Sequence, residues 1–213
     1  MVKEPQKFWT YYKENIYNQT YRISDTETAI KQLIETGVVK TIVDLNYTGY
    51  LSAFTENDNV EIIQLKGDLD LLRCMSCNEE YEVEKDTLET TSVLKCECKG
   101  KISPTITLFG EKYLEKNTKA VKDAVFIEEN GEVKLNTHCL IFVGVDFEED
   151  YLHDLIDSFD AIKNQVSTDE DPYFSVIIAD NDSISINYYQ PEFATDDNMP
   201  EAIKRLIAQL KED

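Results

Sequence analysis

The chain has 213 residues, enough to bury a sizeable core as one domain of ordinary size with a small appendage. With 42% hydrophobic, 10% aromatic and 30% charged residues it falls in the globular range, which sets aside wholesale disorder, collagen-like repeats and coiled coil. Lys and Arg number 21 against 42 Asp and Glu, a net charge of −21 that repels phosphate backbones and anionic lipid heads, so nucleic acid and membrane surfaces are disfavoured as partners and a basic protein is compatible.

The acidity is uneven: residues 146–213 hold 18 Asp and Glu against 4 Lys and Arg, so the last third forms the acidic face. No apolar run approaches the roughly 20 residues of a membrane helix. Met1 to Pro5 opens no signal-peptide hydrophobic region, and a cytoplasmic location is expected.

Along the chain, helical and strand signals alternate. Ser24 to Glu27 reads as a capping box, with Ala29, Ile30, Leu33 and Ile34 on one face and Gly37 as a stop, which predicts a helix over 25–36. Val38, Val39, Thr41, Ile42 and Val43 follow as a buried-strand run, and Val60 to Leu65 reads the same way. Leu72 to Gly100 carries four cysteines and no helical period, so it is expected to be a small inserted module, with residues 1–71 and 101–213 forming the main domain. Phe126 to Leu135 flanks Asn130-Gly131, a strong hairpin-turn signal. Cys139 to Val145 and Phe174 to Ala179 are further buried strands. Between them Leu152, Leu155, Ile156, Phe159 and Ile162 recur at helical spacing, and Pro200 opens a last helix carrying Ile203, Leu206, Ile207 and Leu210. Strands separated by helices imply an α/β fold with a mostly parallel sheet covered on both faces.

Cys74-Met75-Ser76-Cys77 and Cys96-Glu97-Cys98 are eighteen residues apart, the two-knuckle spacing of a zinc ribbon except that the second pair has one intervening residue in place of two. Tetrahedral thiolate coordination by Cys74, Cys77, Cys96 and Cys98 is the expectation, four unrelated free thiols the alternative. A site filled by four protein ligands leaves no position for water, so its zinc is structural. The fifth cysteine, Cys139, is expected to pack as a small apolar residue.

Several segments, in order, resemble the sirtuin family of NAD-dependent protein deacylases. Phe8-Trp9 with Tyr11-Tyr12 is similar to that family's early aromatic helix, and Ile42 to Tyr50, containing Asn46 and Gly49, to its Thr-Gln-Asn-Ile-Asp-Gly stretch. Ile62-Ile63-Gln64-Leu65-Lys66-Gly67 resembles the strand ending in His-Gly, and Leu72-Arg73-Cys74 opens the zinc module at the same distance. Gly100 to Glu111, with Pro104 and Phe109-Gly110-Glu111, resembles the Arg-Pro-x-Val-Val-x-Phe-Gly-Glu segment, and Leu140 to Gly144 the strand before the Gly-Thr-Ser nucleotide motif. The resemblance implies a Rossmann-like domain, a zinc-bearing small domain, and a groove for NAD and an acyl-lysine peptide, with Phe109, Gly110 and Glu111 in the loop that pairs with peptide.

The departures fall on the chemistry. Lys66 takes the position of the family's catalytic His, and an ammonium has no lone pair with which to take a proton. Asn-Ile-Asp becomes Asn46-Tyr47-Thr48, keeping only the Asn; Gly-Thr-Ser becomes Gly144-Val145-Asp146, followed by Glu148, Glu149 and Asp150, whose charge repels a pyrophosphate. The family's Gly-Ala-Gly-Ile-Ser loop and its strand have no counterpart in residues 1–7, and the seven glycines contain no Gly-x-Gly. NAD binding is therefore expected to be lost or very weak. A buried sheet edge with unpaired amides is costly, so the sheet is expected to close over the gap or to accept a strand from another chain, a second copy included.

His138 and His153, the two histidines, sit beside no nucleophile motif. Tyr11, Tyr12, Tyr17, Tyr21, Tyr47 and Tyr50 cluster early and read either as a contact surface or as half-buried helix residues. The reading that follows is a catalytically inactive, sirtuin-like zinc protein that binds a protein or peptide. Its alternatives are an NAD-dependent deacylase or ADP-ribosyltransferase with an unusual site, and an acidic phosphate mimic that sequesters a basic partner.

Overall fold

The structure, a computed structural model, describes residues 4–17, 22–51, 60–83, 94–108, 110–145, 150–168, 170, 172–178, 193–195 and 198–210. These divide into two compact units, one built from Met1–Ile23, Ile42–Glu56 and Ile62–Thr118, the other from Ser24–Thr41, Asn57–Glu61 and Lys119–Asp213. Helices α1 (Pro5–Tyr12), α2 (Asp25–Glu35), α3 (Glu115–Val125), α4 (Asp150–Val166) and α5 (Met199–Gln209) alternate with strands β1 (Thr41–Asp44), β2 (Glu61–Gln64), β3 (Leu71–Cys74), β4 (Glu80–Glu82), β5 (Ile102–Pro104), β6 (Phe126–Glu129), β7 (Glu132–Leu135), β8 (Cys139–Val143), β9 (Phe174–Ile178) and β10 (Phe193–Thr195).

In the second unit the parallel sheet runs β10-β9-β8, with Ile141 opposite Val176 and Val176 opposite Phe193. Strand β8 explains why its sequence is a continuous apolar run. Cys139, Ile141 and Val143 pack on Ala29 and Leu33 of α2 and on Ala202, Ile203 and Ile207 of α5, while Leu140 and Phe142 pack on Ile156 of α4. Successive side chains leave a strand on opposite faces, and here both faces are covered by helix. The capping box of α2 is present as read: Ser24 Oγ accepts the Glu27 amide at 3.1 Å and Glu27 Oε2 accepts the Ser24 amide at 2.7 Å. The hairpin β6–β7 turns on Asn130 (φ 55°) and Gly131 (φ 82°), the pair of positive φ values that a two-residue hairpin requires.

In the first unit, α1 continues into one wider π-type turn over Lys13–Tyr17. Tyr12 is fully buried, stacks on Phe8 and donates its hydroxyl to the Leu69 carbonyl at 3.1 Å, in a core with Ile106. Strands β1 and β2 pair, and bonds from the Leu65 amide to the Asp44 carbonyl and from the Glu61 amide to the Lys40 carbonyl keep one offset, so the pair is parallel. A second, antiparallel sheet runs β4-β3-β5.

Two sequence expectations differ from the structure, and one helix is additional to them. Val38 and Val39 precede the strand: Gly37 takes φ +79° and leaves Val38 half exposed before β1 starts at Thr41. Val145 lies outside β8, because Gly144 turns the chain at φ +58°. Helix α3 was not expected at all; its buried side chains are Val121 and Val125, one turn apart, too few for a visible periodicity. No helix among the described residues is long and apolar enough to cross a membrane.

Ile203 is fully buried between α2 and β8. Ile203→Ala is expected to lower stability by about 2–5 kcal/mol, read from urea unfolding followed by far-UV circular dichroism. A loss below about 1 kcal/mol would show that α5 does not close this core.

Candidate metal centre

The four paired cysteines converge: one ligand atom from each of Cys74, Cys77, Cys96 and Cys98 lies within 4.8 Å of all the others. Two matching turns bring them there. At the end of β3 the Cys74 carbonyl accepts the Asn78 amide at 3.0 Å, its amide donates to the Glu79 carbonyl at 2.8 Å, and Asn78 closes the turn at φ 62°. In the second turn the Cys96 carbonyl accepts the Lys99 amide at 2.8 Å, its amide donates to the Gly100 carbonyl at 3.0 Å, and Lys99 takes φ 67°. The shortened pair thus uses the same device one residue earlier. Asn tolerates the left-handed region; a lysine held there marks a turn imposed by its surroundings.

Gly100 is required by contact rather than by φ. A Cβ at this position would lie 2.5 Å from Cys74 Sγ and 2.7 Å from Ser76 Oγ. The Met75 amide donates to the Lys101 carbonyl at 2.9 Å, and Lys95 bridges to Lys101, so the second turn is stitched to the first.

The donor set fits zinc. A tetrahedral ion with Zn–S of about 2.3 Å places its sulfurs roughly 3.8 Å apart, and Cys74–Cys98 and Cys77–Cys96 Sγ pairs stand at 3.5 Å. Two of the four sulfurs are shifted toward the thiolate and two away from it. The amides of Cys77 and Ser76 hold the Cys74 thiol down, to about 6, and the Tyr81 hydroxyl followed by the Cys98 amide holds Cys96 below its ordinary value. At Cys77 the Glu79 amide pulls the same way, but the neighbouring sulfurs of Cys96, Cys98 and Cys74 and burial outweigh it and push the thiol up to about 12. A divalent cation relieves that crowding, since a coordinating thiol gives up its proton. Among the described residues this is the one group of three or more His, Cys, Asp or Glu placed to share an ion.

The other residues singled out in the sequence are dispersed or partly outside the described set. Lys66 follows β2, and its carbonyl accepts the Thr107 amide at 2.7 Å. Gly67 next to it takes φ +89°, where a Cβ would meet the Thr105 carbonyl oxygen at 2.2 Å. Asn46 is exposed and its amide donates to Asp44 Oδ1 at 2.9 Å. Glu111 Oε2 accepts the Leu108 amide at 3.2 Å while the Glu111 amide donates to the Leu108 carbonyl at 2.9 Å, so Gly110 sits at φ +81° in a loop that closes on itself. Gly144 is described; Phe109, Asp146, Glu148, Glu149, Tyr21 and Ala179 lie outside the described residues. His138 stacks on Tyr173 at 4.5 Å, and neither histidine joins the cysteine group. The early tyrosines split: Tyr12 is core, Tyr11 and Tyr47 are exposed.

Two polar features escaped the sequence reading. Tyr81 reaches Cys96 Sγ with its hydroxyl at 2.9 Å. Asp68 is half buried, and with the Gln64 amide turned so that its nitrogen faces the carboxylate, Oδ2 accepts it at 2.6 Å while the Gln64 oxygen accepts the Gly49 amide at 3.1 Å. Burial pushes the Asp68 carboxyl up, the Asp70 amide opposes this, and the Asp70 charge adds to it. Both depend on pairings across turns, which no local spacing displays.

The chain is expected to bind one zinc ion, and cobalt in its place is expected to show the absorption of a tetrahedral tetrathiolate. Gly100→Ala is expected to weaken retention about 10- to 100-fold in competition with a chromophoric chelator, the usual scale for groups just outside a metal's ligands. Unchanged retention would show that the two turns do not close on each other as described.

Solved Sir2 structures share the fold over nearly the whole chain. A Sir2 homologue in complex with 2′-O-acetyl-ADP-ribose superposes with a TM-score of 0.70 at 20% identity, over 99% of this chain and 76% of that one. A Sir2 bound to acetylated peptide gives 0.68 at 16%, over 98% and 80%. Among relatives by sequence, the NAD-dependent protein deacetylase of Clostridium perfringens is 30% identical over 122 residues, 57% of this chain and 48% of that protein. The NAD-dependent protein deacylase 1 of Archaeoglobus fulgidus is 30% identical over 115 residues, 52% of this chain and 44% of that protein. The chain thus matches about half the length of these relatives. The family model described as Sir2 family matches residues 1–130. That match takes in the aromatic helix, the Lys66-Gly67 turn and both cysteine pairs, and with the shared Rossmann-like α/β fold it establishes that the chain belongs to the Sir2 family.

Proposed function

We propose that this Sir2-family chain holds a structural zinc ion in the module of residues 72–100, inserted in the remainder 1–71 and 101–213, and works in the cytoplasm by binding a protein or peptide. NAD turnover by the family's usual route is lost. The observation that carries this reading is Lys66, which stands where the resemblance puts the general-base histidine. The turn around it is tightly packed, with Gly67 against the Thr105 carbonyl and Thr105 Oγ1 accepting the Asp68 amide at 3.1 Å. A fold can stand while a side chain that does chemistry is exchanged, because function lives in the site and not in the frame. An ammonium donates hydrogen bonds but accepts none, so it cannot take the proton of a ribose hydroxyl as an imidazole does.

The peptide side has a separate support. Glu111 is tied back to Leu108 through both its amide and its carboxylate, and backbone held in this way can pair with an extended segment by β-addition. One of the Sir2 structures with this fold contains an acetylated peptide. Free thiols that hold a metal need a reducing compartment, which fits the cytoplasm.

Isothermal titration with NAD at millimolar concentration is expected to give no saturable heat, and an acyl-lysine peptide with NAD is expected to release no nicotinamide. Nicotinamide release that Lys66→Ala abolishes would establish the enzyme reading instead. Partner capture on this chain is expected to persist at high salt, since backbone pairing is screened little. Capture lost steeply with salt would instead favour the acidic phosphate mimic.

A further inference from the structure

The two knuckles differ in how many donors they can aim at sulfur. Cys74 Sγ, which leads the longer turn, accepts two backbone amides, those of Ser76 at 3.4 Å and of Cys77. The trailing sulfurs each accept an amide two residues on: Glu79 for Cys77, and Gly100 for Cys98 at 3.4 Å. Cys96, which leads the shorter turn, accepts the Cys98 amide at 3.5 Å, but the next amide, that of Lys99, is turned to the Cys96 carbonyl at 2.8 Å. Deleting one residue from the knuckle thus removes one donor from its leading sulfur. In the described residues that deficit is made up from outside the turn, by the Tyr81 hydroxyl at 2.9 Å.

We propose that Tyr81 is a positioning residue of the metal centre: its hydroxyl donates to the metal-bound thiolate of Cys96 and replaces the amide that the Cys96-Glu97-Cys98 turn cannot supply. The proposal rests on the metal-holding reading of the four cysteines. Register puts the ring there. Tyr81 on β4 pairs with Leu72 on β3, two residues before Cys74, so Tyr81, Leu72 and Cys74 share one face of that strand pair. Four thiolates around a divalent cation carry an excess of negative charge, in a chain already at −21, and each hydrogen bond to sulfur draws some of that charge off the ligand. The hydroxyl therefore lowers the nucleophilicity of Cys96 in particular and slows loss of the ion.

Tyr81→Phe keeps the ring and removes only the donor. In the full, zinc-loaded chain, transfer of the ion to a chelator is expected to quicken about 10-fold. Alkylation mapped cysteine by cysteine is expected to rise several-fold at Cys96 relative to Cys74, which keeps both of its amides. A merely structural role for the ring predicts neither change, and equal rates at Cys96 in the two proteins overturn the proposal. If Tyr81→Phe fails to fold, the cadmium-loaded wild-type chain is used: a Tyr81 hydroxyl proton with a through-bond coupling to cadmium supports the proposal, and its absence from a folded, loaded sample overturns it. Failure of the metal reading is separately visible, because the wild-type chain would then show no sulfur-to-cobalt charge-transfer band.

Discussion

Four sulfurs gathered between two left-handed turns are the constraint around which the first unit is arranged. The strands that carry them are short: β3 has four residues, β4 and β5 three each. Ladders of that length do not hold by themselves in water. An ion held by the four cysteines would cross-link chain segments eighteen residues apart, and a metal bound only by the folded arrangement adds its binding free energy to folding. Leu72 and Cys74 are fully buried at the end of β3, and the core of Tyr12, Leu69 and Ile106 lies just before β3 and after β5 in the chain. The aromatic helix and the cysteine sheet fall in the same compact unit.

The second unit depends on a different principle. Strand β8 has helix on both faces, so each of its residues from Cys139 to Val143 is at least partly buried. Cys139 belongs to this packing, against α2 and α5, and takes no part in the metal centre. The acidic character of the last third is compatible with such a core because the period of α4 and α5 separates the two sets of side chains: Leu152, Leu155, Ile156 and Phe159 point inward while Asp154 and Asp157 remain in water.

Fold and chemistry place different demands on a chain of the Sir2 family. The turn at Gly67, the two cysteine turns and the two-faced strand β8 are demands of packing, each set by a close contact, a left-handed residue or cover on both faces. Side chains at positions such as Lys66 and Tyr47-Thr48 are under no such demand and can vary while the fold stands. The half-buried Asp68, tied to Gln64 and through it to Gly49, shows that the neighbourhood of Lys66 is still an organised polar one.

How far each feature could be read from residue order follows from the range of the interaction behind it. The capping box at Ser24 and Glu27, the Asn130-Gly131 hairpin, the pairing of the cysteines and the apolar run of β8 are local, governed by neighbours within a few residues, and all were legible. The start of β1 at Thr41 and the presence of α3 were not, because a left-handed Gly37 and a two-residue buried stripe leave only faint marks in a pattern. The reach of the cysteine sheet to β5, the closing of a short knuckle by Lys99, the closeness of Gly100 to Cys74 sulfur and the hydroxyl of Tyr81 on Cys96 depend on strand register and on contacts between residues far apart in the chain. Residue order names the ligands and the class of fold; which outside groups steady those ligands is decided only when β3, β4 and the second turn are laid side by side, since hydrogen bonds act over about 3 Å of space whatever the separation along the chain.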